Sequence, residues 1–377
     1  MQNVDPLRLG IKAILIFVLA NLAFAYFDPP VGKLSLYNLL LPGRLRFPYV
    51  RRDEDFLRVH SISVFENFDA MFSSIEVGNI AKIQNNEYRV LFLGDSSMWG
   101  FDLAAQDTLV GQINRLNLQT CNGRVLRAYN LGYPLPVGVR DVLLLDKARE
   151  YHPNLFVWFV TMDTFIDKNV NADFLTTHPD ETIKLVGTYG LKFDISNIQP
   201  SSPWNKTIVG RRLELKKMIL LQVDGLGWSA TGVDYYVWRK GPASQGISLS
   251  VAASPNVAGE AAMSDKNKIK LLNSFVFPLL HAAQSEAGKT PLLIVNEPDQ
   301  MLSGSDARDP GQVYALWAYN IYRNGLAEWL KSGNYDYVDL GGSLTGGDFV
   351  SEFHRTAAGE QKLAQKIVPE LLHQACK

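Results

Sequence analysis

From Tyr88 onward the chain repeats one pattern, a short apolar run rich in β-branched and aromatic residues followed by a stretch with helical spacing. The runs cover residues 89–93, 125–129, 155–160, 291–295 and 335–340. Parallel strands need a crossover between them, so strands alternating with helices predict an α/β fold with a five-stranded parallel sheet covered on both faces. Leu109, Ile113 and Leu116 recur at helical spacing, as do Val142, Leu145 and Ala148, and again Leu363, Ile367 and Leu371, so each set lays one face on the sheet. Pro369 is expected to kink or restart the last helix, because its ring removes a backbone donor and clashes one turn back.

What surrounds this pattern divides the chain. Residues 11–27 are apolar apart from Lys12 and Asn21, with Arg8 before them, and read as an export signal. The run is slightly shorter than the roughly 20 residues that span a bilayer. Ala23-Phe24-Ala25 has the small-x-small form of a cleavage site, so a removed signal peptide competes with the favoured reading, an uncleaved single-pass anchor over residues 1–28. The body is expected on the extracytoplasmic side of the cell membrane, although Lys33, Arg44 and Arg46 make the downstream flank at least as basic as the upstream one. Residues 29–87 mix prolines, basic residues and aromatics without a period, as a stalk or collar would, and show no core of their own. Residues 88–377 form the α/β domain, interrupted over about 164–268 by an insertion with a helix near 211–222 and a Ser/Ala/Gly/Pro-rich stretch over 241–259. A lid and a peripheral elaboration fit that insertion equally well.

Composition excludes several classes. Thirty-seven basic residues against 38 acidic ones give a net charge of −1, which offers no electrostatic footprint for nucleic acid. Cys121 and Cys376 lack metal-ligand spacing, and two free thiols are expected there rather than a bridge. No metal or cofactor is implied.

In open parallel sheets, ligands bind beyond the carboxyl ends of the strands. Those ends carry Asp95-Ser96-Ser97, Asn130-Leu131-Gly132, Thr161-Met162-Asp163, Asn296-Glu297-Pro298 and Asp339-Leu340-Gly341. A serine is a poor nucleophile until a base takes its proton, so Ser96 needs a histidine on the same rim. His60 precedes the sheet, His152 lies before the third strand, His178 is in the insertion, His281 is in a helical stretch, and His373 is in the tail. Only His354 falls between the last strand and the last helix, where the loop opens on the correct edge.

The same pair carries a resemblance. "GDSSMWG" at residues 94–100 resembles the first block of the SGNH, or GDSL-type, hydrolases, and "FHRTAAGEQKLA" at 353–364 resembles their last block. The likeness covers roughly residues 88–163 and 290–372 and implies a flavodoxin-like three-layer sandwich, the architecture already read from the alternation. It implies Ser96 as nucleophile, whose own N–H also donates to the oxyanion, and His354 as base. "NLGYPLPVG" is similar to the second block, with Asn130 and Gly132 in place and Leu135 where the family has an oxyanion glycine. The third block departs further: Met162 replaces the donor asparagine, before Asp163. Losing one such donor costs roughly 100- to 1000-fold in rate. Thr161 or Asn296 can substitute, Asn296 being preferred because its amide has two donors, and Glu297 lines the same rim. Ser351 occupies the place of the family's acid, leaving Asp348, Glu352 or a backbone carbonyl to orient His354.

The expected function is a membrane-anchored, divergent serine esterase or O-acyltransferase acting on an acylated glycan or similar surface polymer through an acyl-enzyme. The alternative is a non-catalytic binding or assembly protein of a surface-polysaccharide system that keeps the fold, a reading fed by Met162, Leu135 and Ser351. Trp228, Tyr235, Tyr236 and Trp238 can stack on sugar faces, although aromatics at that spacing more often form core.

Overall fold

The computed structural model describes residues 5–40, 44–49, 62–79, 86–135, 137–166, 177–193, 195–196, 198–231, 265–299, 316–350 and 353–377. In chain order its principal elements begin with helices α1 (Pro6–Phe27), α2 (Leu36–Leu40) and α3 (Phe68–Ser73). The first half of the sheet follows as β1 (Glu87–Leu93), α4 (Ser96–Trp99), α5 (Leu109–Arg115), β2 (Val125–Asn130), α6 (Gly138–Ala148) and β3 (Leu155–Val160). The insertion holds α7 (Pro179–Tyr189), α8 (Arg212–Thr231) and α9 (Asp265–Leu272). The chain then closes with α10 (Pro278–Glu286), β4 (Leu292–Asn296), α11 (Leu316–Ser332), β5 (Asp336–Asp339) and α12 (Ala357–Ala375).

All five strands pair in parallel, in the order β2-β1-β3-β4-β5. They match the five apolar runs to within two residues at each end. Strand periodicity then sorts the side chains. Val90, Phe92, Val157, Phe159, Leu293 and Val295 face α5 and α12 in one buried cluster, while Leu91, Leu93, Phe156, Trp158, Leu292 and Ile294 face α6 and α10 in the other. The result is the expected three-layer α/β sandwich. Because β1 and β3 are neighbours while the chain leaves them in opposite directions, the strand order reverses between them and opens a crevice at their carboxyl ends.

Three expectations change. Part of the segment read as a coreless collar belongs to the body: Phe47, Ile62, Val64, Ala70, Met71, Phe72, Ile75 and Val77 are buried in the α6-side cluster, and their aperiodic spacing reflects short pieces laid across a finished layer. The two cysteines form a disulfide with Cα atoms 5.7 Å apart, although 255 positions separate them. Fold topology explains this, since the turn before edge strand β2 lies against the end of α12. Finally, α12 does not restart at Pro369 but continues through it, with Leu363, Ile367 and Leu371 buried against the sheet on both sides of it. Packing of that face offsets the lost backbone bond.

The most apolar 18 residues of helix α1 have a mean hydropathy of 2.0, and the helix is long and apolar enough to cross a membrane. Tyr235, Tyr236 and Trp238 and the stretch over 241–259 lie outside the described residues, as does the side chain of Trp228.

Candidate active site

Strand β1 ends at Leu93 because Gly94 takes φ +152°, a conformation that side chains rarely adopt, and a Cβ there would stand 2.8 Å from the Cβ of Met98. Asp95 then caps α4, its carboxylate accepting the Ser97 N–H at 2.9 Å. This leaves Ser96 as the first helical residue, half-buried at the β1/β3 crevice. On the other side, Phe349 and Arg355 form a β-bridge, and the Val350 N–H donates to the His354 carbonyl, closing a tight loop. The loop places His354 Nε2 3.0 Å from Ser96 Oγ, and the imidazole stacks on Phe101 with ring centres 5.0 Å apart. A hydroxyl and an imidazole 258 positions apart in sequence thus share one hydrogen bond.

The rest of the rim is distributed less as expected. Asn130 is buried and bonds backbone only: its amide donates to the Met98 carbonyl at 2.8 Å, and its Oδ1 accepts the Gly132 N–H at 2.9 Å. Both residues therefore fasten the β2 exit to α4, and a Cβ on Gly132 would meet the Trp99 nitrogen at 2.7 Å. Leu135 holds φ +85°, the left-handed conformation that glycine takes without strain. Fully buried Arg140 fixes it there, donating to the Leu135 carbonyl at 2.7 Å, the Tyr133 carbonyl at 3.0 Å and the Gly94 carbonyl at 3.0 Å. Asp141 balances that guanidinium, and burial pushes the Asp141 carboxyl upward against the opposing pull of Arg140. Among the described residues, neither the Ser96 N–H nor the Leu135 N–H donates to a protein acceptor.

Asn296 is not a free donor. Its amide gives one hydrogen to the Tyr319 hydroxyl and one to Asp339 Oδ1, each at 3.0 Å, and its Oδ1 accepts from Tyr322 at 3.1 Å. Every hydrogen-bonding site the expectation relied on is occupied. Thr161 is likewise committed, its buried side chain capping the short 3-10 helix Met162–Phe165. Met162 packs in the apolar core, and Asp163 lies near enough to Asp95 for their charges to interact. Asp348 accepts from the Thr345 N–H and hydroxyl and pairs with Lys362 at 2.6 Å, which holds its carboxyl down at about 2. Its carboxylate braces the loop and does not touch His354. Glu352 and Ser351 lie outside the described residues.

Glu297 is the largest departure. Instead of lining the pocket it is fully buried, ion-paired with Arg355 and accepting from the Ser97 hydroxyl. That hydroxyl also lies 3.1 Å from the Phe353 carbonyl, and Arg355 donates to the Ser97 carbonyl at 3.2 Å and pairs with Glu360 at 3.2 Å. The residues after Ser96 and on both sides of His354 are thereby joined through one buried node. Burial raises the Glu360 carboxyl to about 7 despite Arg355, and burial together with Glu297 raises Asp95 to about 7. Both oxygens of Asp299 are buried without a hydrogen-bond partner, and its carboxyl is raised well above the usual range by burial first and Glu297 next. Sequence reasoning missed Ser97, Phe101, Arg140 and Arg355. The available signals were charged residues inside apolar helical faces, Arg140-Asp141 and Glu360, and an arginine directly after the histidine.

No family model matches the chain, and no curated protein matches it. Solved structures similar to it include a member of the lipolytic G-D-S-L family from Veillonella parvula, at 9% identity and TM-score 0.35 over 74% of this chain and 96% of that one. A carbohydrate acetylesterase from Sinorhizobium meliloti is 10% identical with TM-score 0.35, over 76% of this chain and 98% of that one. A catalytic mutant of an acetylxylan esterase from Geobacillus stearothermophilus is 11% identical with TM-score 0.34, over 77% and 96%. At such identities the site is read from its own geometry.

Proposed function

We propose that this chain is a divergent SGNH-type serine esterase or O-acyltransferase working outside the cytoplasm on an acylated glycan or similar ester-bearing polymer. The observation that carries this reading is the 3.0 Å contact between Ser96 Oγ and His354 Nε2. Ser96 Oγ attacks the ester carbonyl carbon while His354 Nε2 takes its proton. The carbonyl oxygen becomes an oxyanion, for which the N–H groups of Ser96 and Leu135 are the available donors, held by the Asp95 cap and the Arg140 clamp. Collapse breaks the bond to the leaving oxygen, which His354 protonates. Water or a sugar hydroxyl then resolves the acyl-enzyme by the same steps in reverse. Among the described residues no side-chain amide joins these two backbone donors, given the burial of Met162 and the full engagement of Asn296, and that suits a modest catalyst. The apolar α1 and the disulfide both suit an exported body in an oxidising space.

Turnover of p-nitrophenyl acetate by the full chain tests the pair. Ser96→Ala and His354→Ala should each lower kcat by at least about a thousandfold while the protein stays folded. Met162 in the core favours the second reading, a fold-keeping binding protein, and equal background rates in wild type and both variants would support it.

A further inference from the structure

We propose that α8 and α2 form an apolar pad that rests in the bilayer interface beside α1, so that the body lies on the membrane instead of standing off it. The inference rests on reading α1 as a membrane span and extends it. At 1.5 Å per residue the 22 residues of α1 reach about 33 Å, close to the hydrocarbon thickness of a bilayer. The body grips this helix well before its end. Asn21 Oδ1 accepts the Val209 N–H at 3.1 Å, the Arg211 guanidinium lies 5.8 Å from the Phe24 ring centre, and Asp28 pairs with Arg211 at 3.1 Å and Lys206 at 3.6 Å. Asn21 lies six residues before Phe27, or about 9 Å below the helix end, within the depth that interfacial helices occupy.

Residues 203–211 therefore sit at the headgroup level whenever α1 spans. Trp204 in this rim is 59% exposed, and such a side chain suits an interface because its ring is apolar and its N–H polar. Helix α8 starts at Arg212 and is tied to α2: the Leu36 N–H donates to Gln222 Oε1 at 2.6 Å, the Gln222 amide donates to the Leu34 carbonyl at 2.9 Å, and Tyr37 lies where a Cβ on Gly225 would be. With Tyr37, Met218 and Leu221 turned inward, the two helices leave Leu36, Leu39, Leu40, Ile219, Val223 and Leu226 between 42% and 72% exposed. Ile219, Val223 and Leu226 follow the i, i+4, i+7 spacing of one stripe. Six large apolar side chains exposed on two mutually tied helices mark an interaction site, and α8 begins directly after the segment that holds α1. Lys206, Arg212 and Lys216, beside or on the start of α8, can carry their charges to the phosphate level while their stems stay with the apolar surface.

Spin labels on the full chain in phosphatidylcholine–phosphatidylglycerol nanodiscs test this, since the native cysteines are bonded to each other and leave single labels at Ile219→Cys, Val223→Cys and Leu226→Cys. Collisions with oxygen should exceed those with a water-soluble nickel chelate at all three sites, while Lys366→Cys on the exposed side of α12 shows the reverse. Leu15→Cys reports the span independently. Nickel-accessible labels on α8 with an oxygen-accessible label at residue 15 would overturn the pad and leave the anchor standing. Nickel access at residue 15 would remove the anchor and the pad together. Dipolar broadening between labels would show a second copy of the chain on this face in place of lipid, and would also overturn the proposal.

Discussion

Asp95 shows how one side chain can be constrained by the site it builds. Its carboxylate caps the turn that presents Ser96, yet burial and the neighbouring Glu297 raise it from 3.8 to about 7. Between those values the folded state binds more protons than the unfolded chain, so the stability gained by protonation is complete below about pH 4 and lost as pH rises toward 7. Glu360, also raised to about 7, acts in the same direction, whereas Asp348, held at about 2, loses stability only at lower pH. The melting temperature should therefore fall between pH 5 and pH 8. Asp95→Asn keeps an acceptor for the cap and cannot ionise, so thermal unfolding should show a smaller fall in that variant. An unchanged slope would assign the pH dependence to other groups. At this scale the placement of Ser96 and His354 on one rim is legible in the sequence, because strand ends and loop edges follow from periodicity. Sequence reasoning misassigned Asn296 and Glu297, since whether a polar side chain at a strand end faces solvent or a buried partner is decided by residues that folding brings in from 23 to 200 positions away.

The elements meet at two clamps. Arg140 on α6 binds the β1 exit and the β2 loop together, and the Ser97–Glu297–Arg355 node binds α4, the β4 exit and the loop before α12. Removing Arg355 would strand two buried carboxylates, at a cost of about 3–5 kcal/mol, and report mainly on folding. Ser97→Ala is milder and more telling, because it deletes one hydroxyl whose single proton serves Glu297 and the Phe353 carbonyl. Loosening the two loops against each other should lower kcat for an acetyl ester by about 10- to 100-fold with KM nearly unchanged, and Ser97→Thr should restore most of it. A loss confined to KM, or no loss, would leave the node a purely structural feature. The strands and the helices α5, α6 and α12 were legible as elements because each repeats a hydrophobic period, and the first half of α8 was legible as well. The packing of residues 44–49 and 62–79 was not, because short segments laid over a formed layer carry no period to read.

At the scale of the whole molecule, a switch point between β1 and β3 brings together chain that is distant in sequence, and the disulfide ties the end of α12 back to the β2 turn. The fold class was readable from alternation alone, but the bridge between Cys121 and Cys376 was not, since contact between an edge-strand turn and a terminal helix exists only after the sheet forms. The central claim is that this arrangement makes Ser96 a nucleophile with His354 as its base. Treating the folded full chain with a fluorophosphonate and mapping the adduct by mass spectrometry tests it most directly. The account predicts one phosphonylated peptide carrying the adduct on Ser96, absent in Ser96→Ala and formed far more slowly in His354→Ala. Absence of an adduct on the folded wild-type chain, or an adduct on Ser97 in its place, would contradict it.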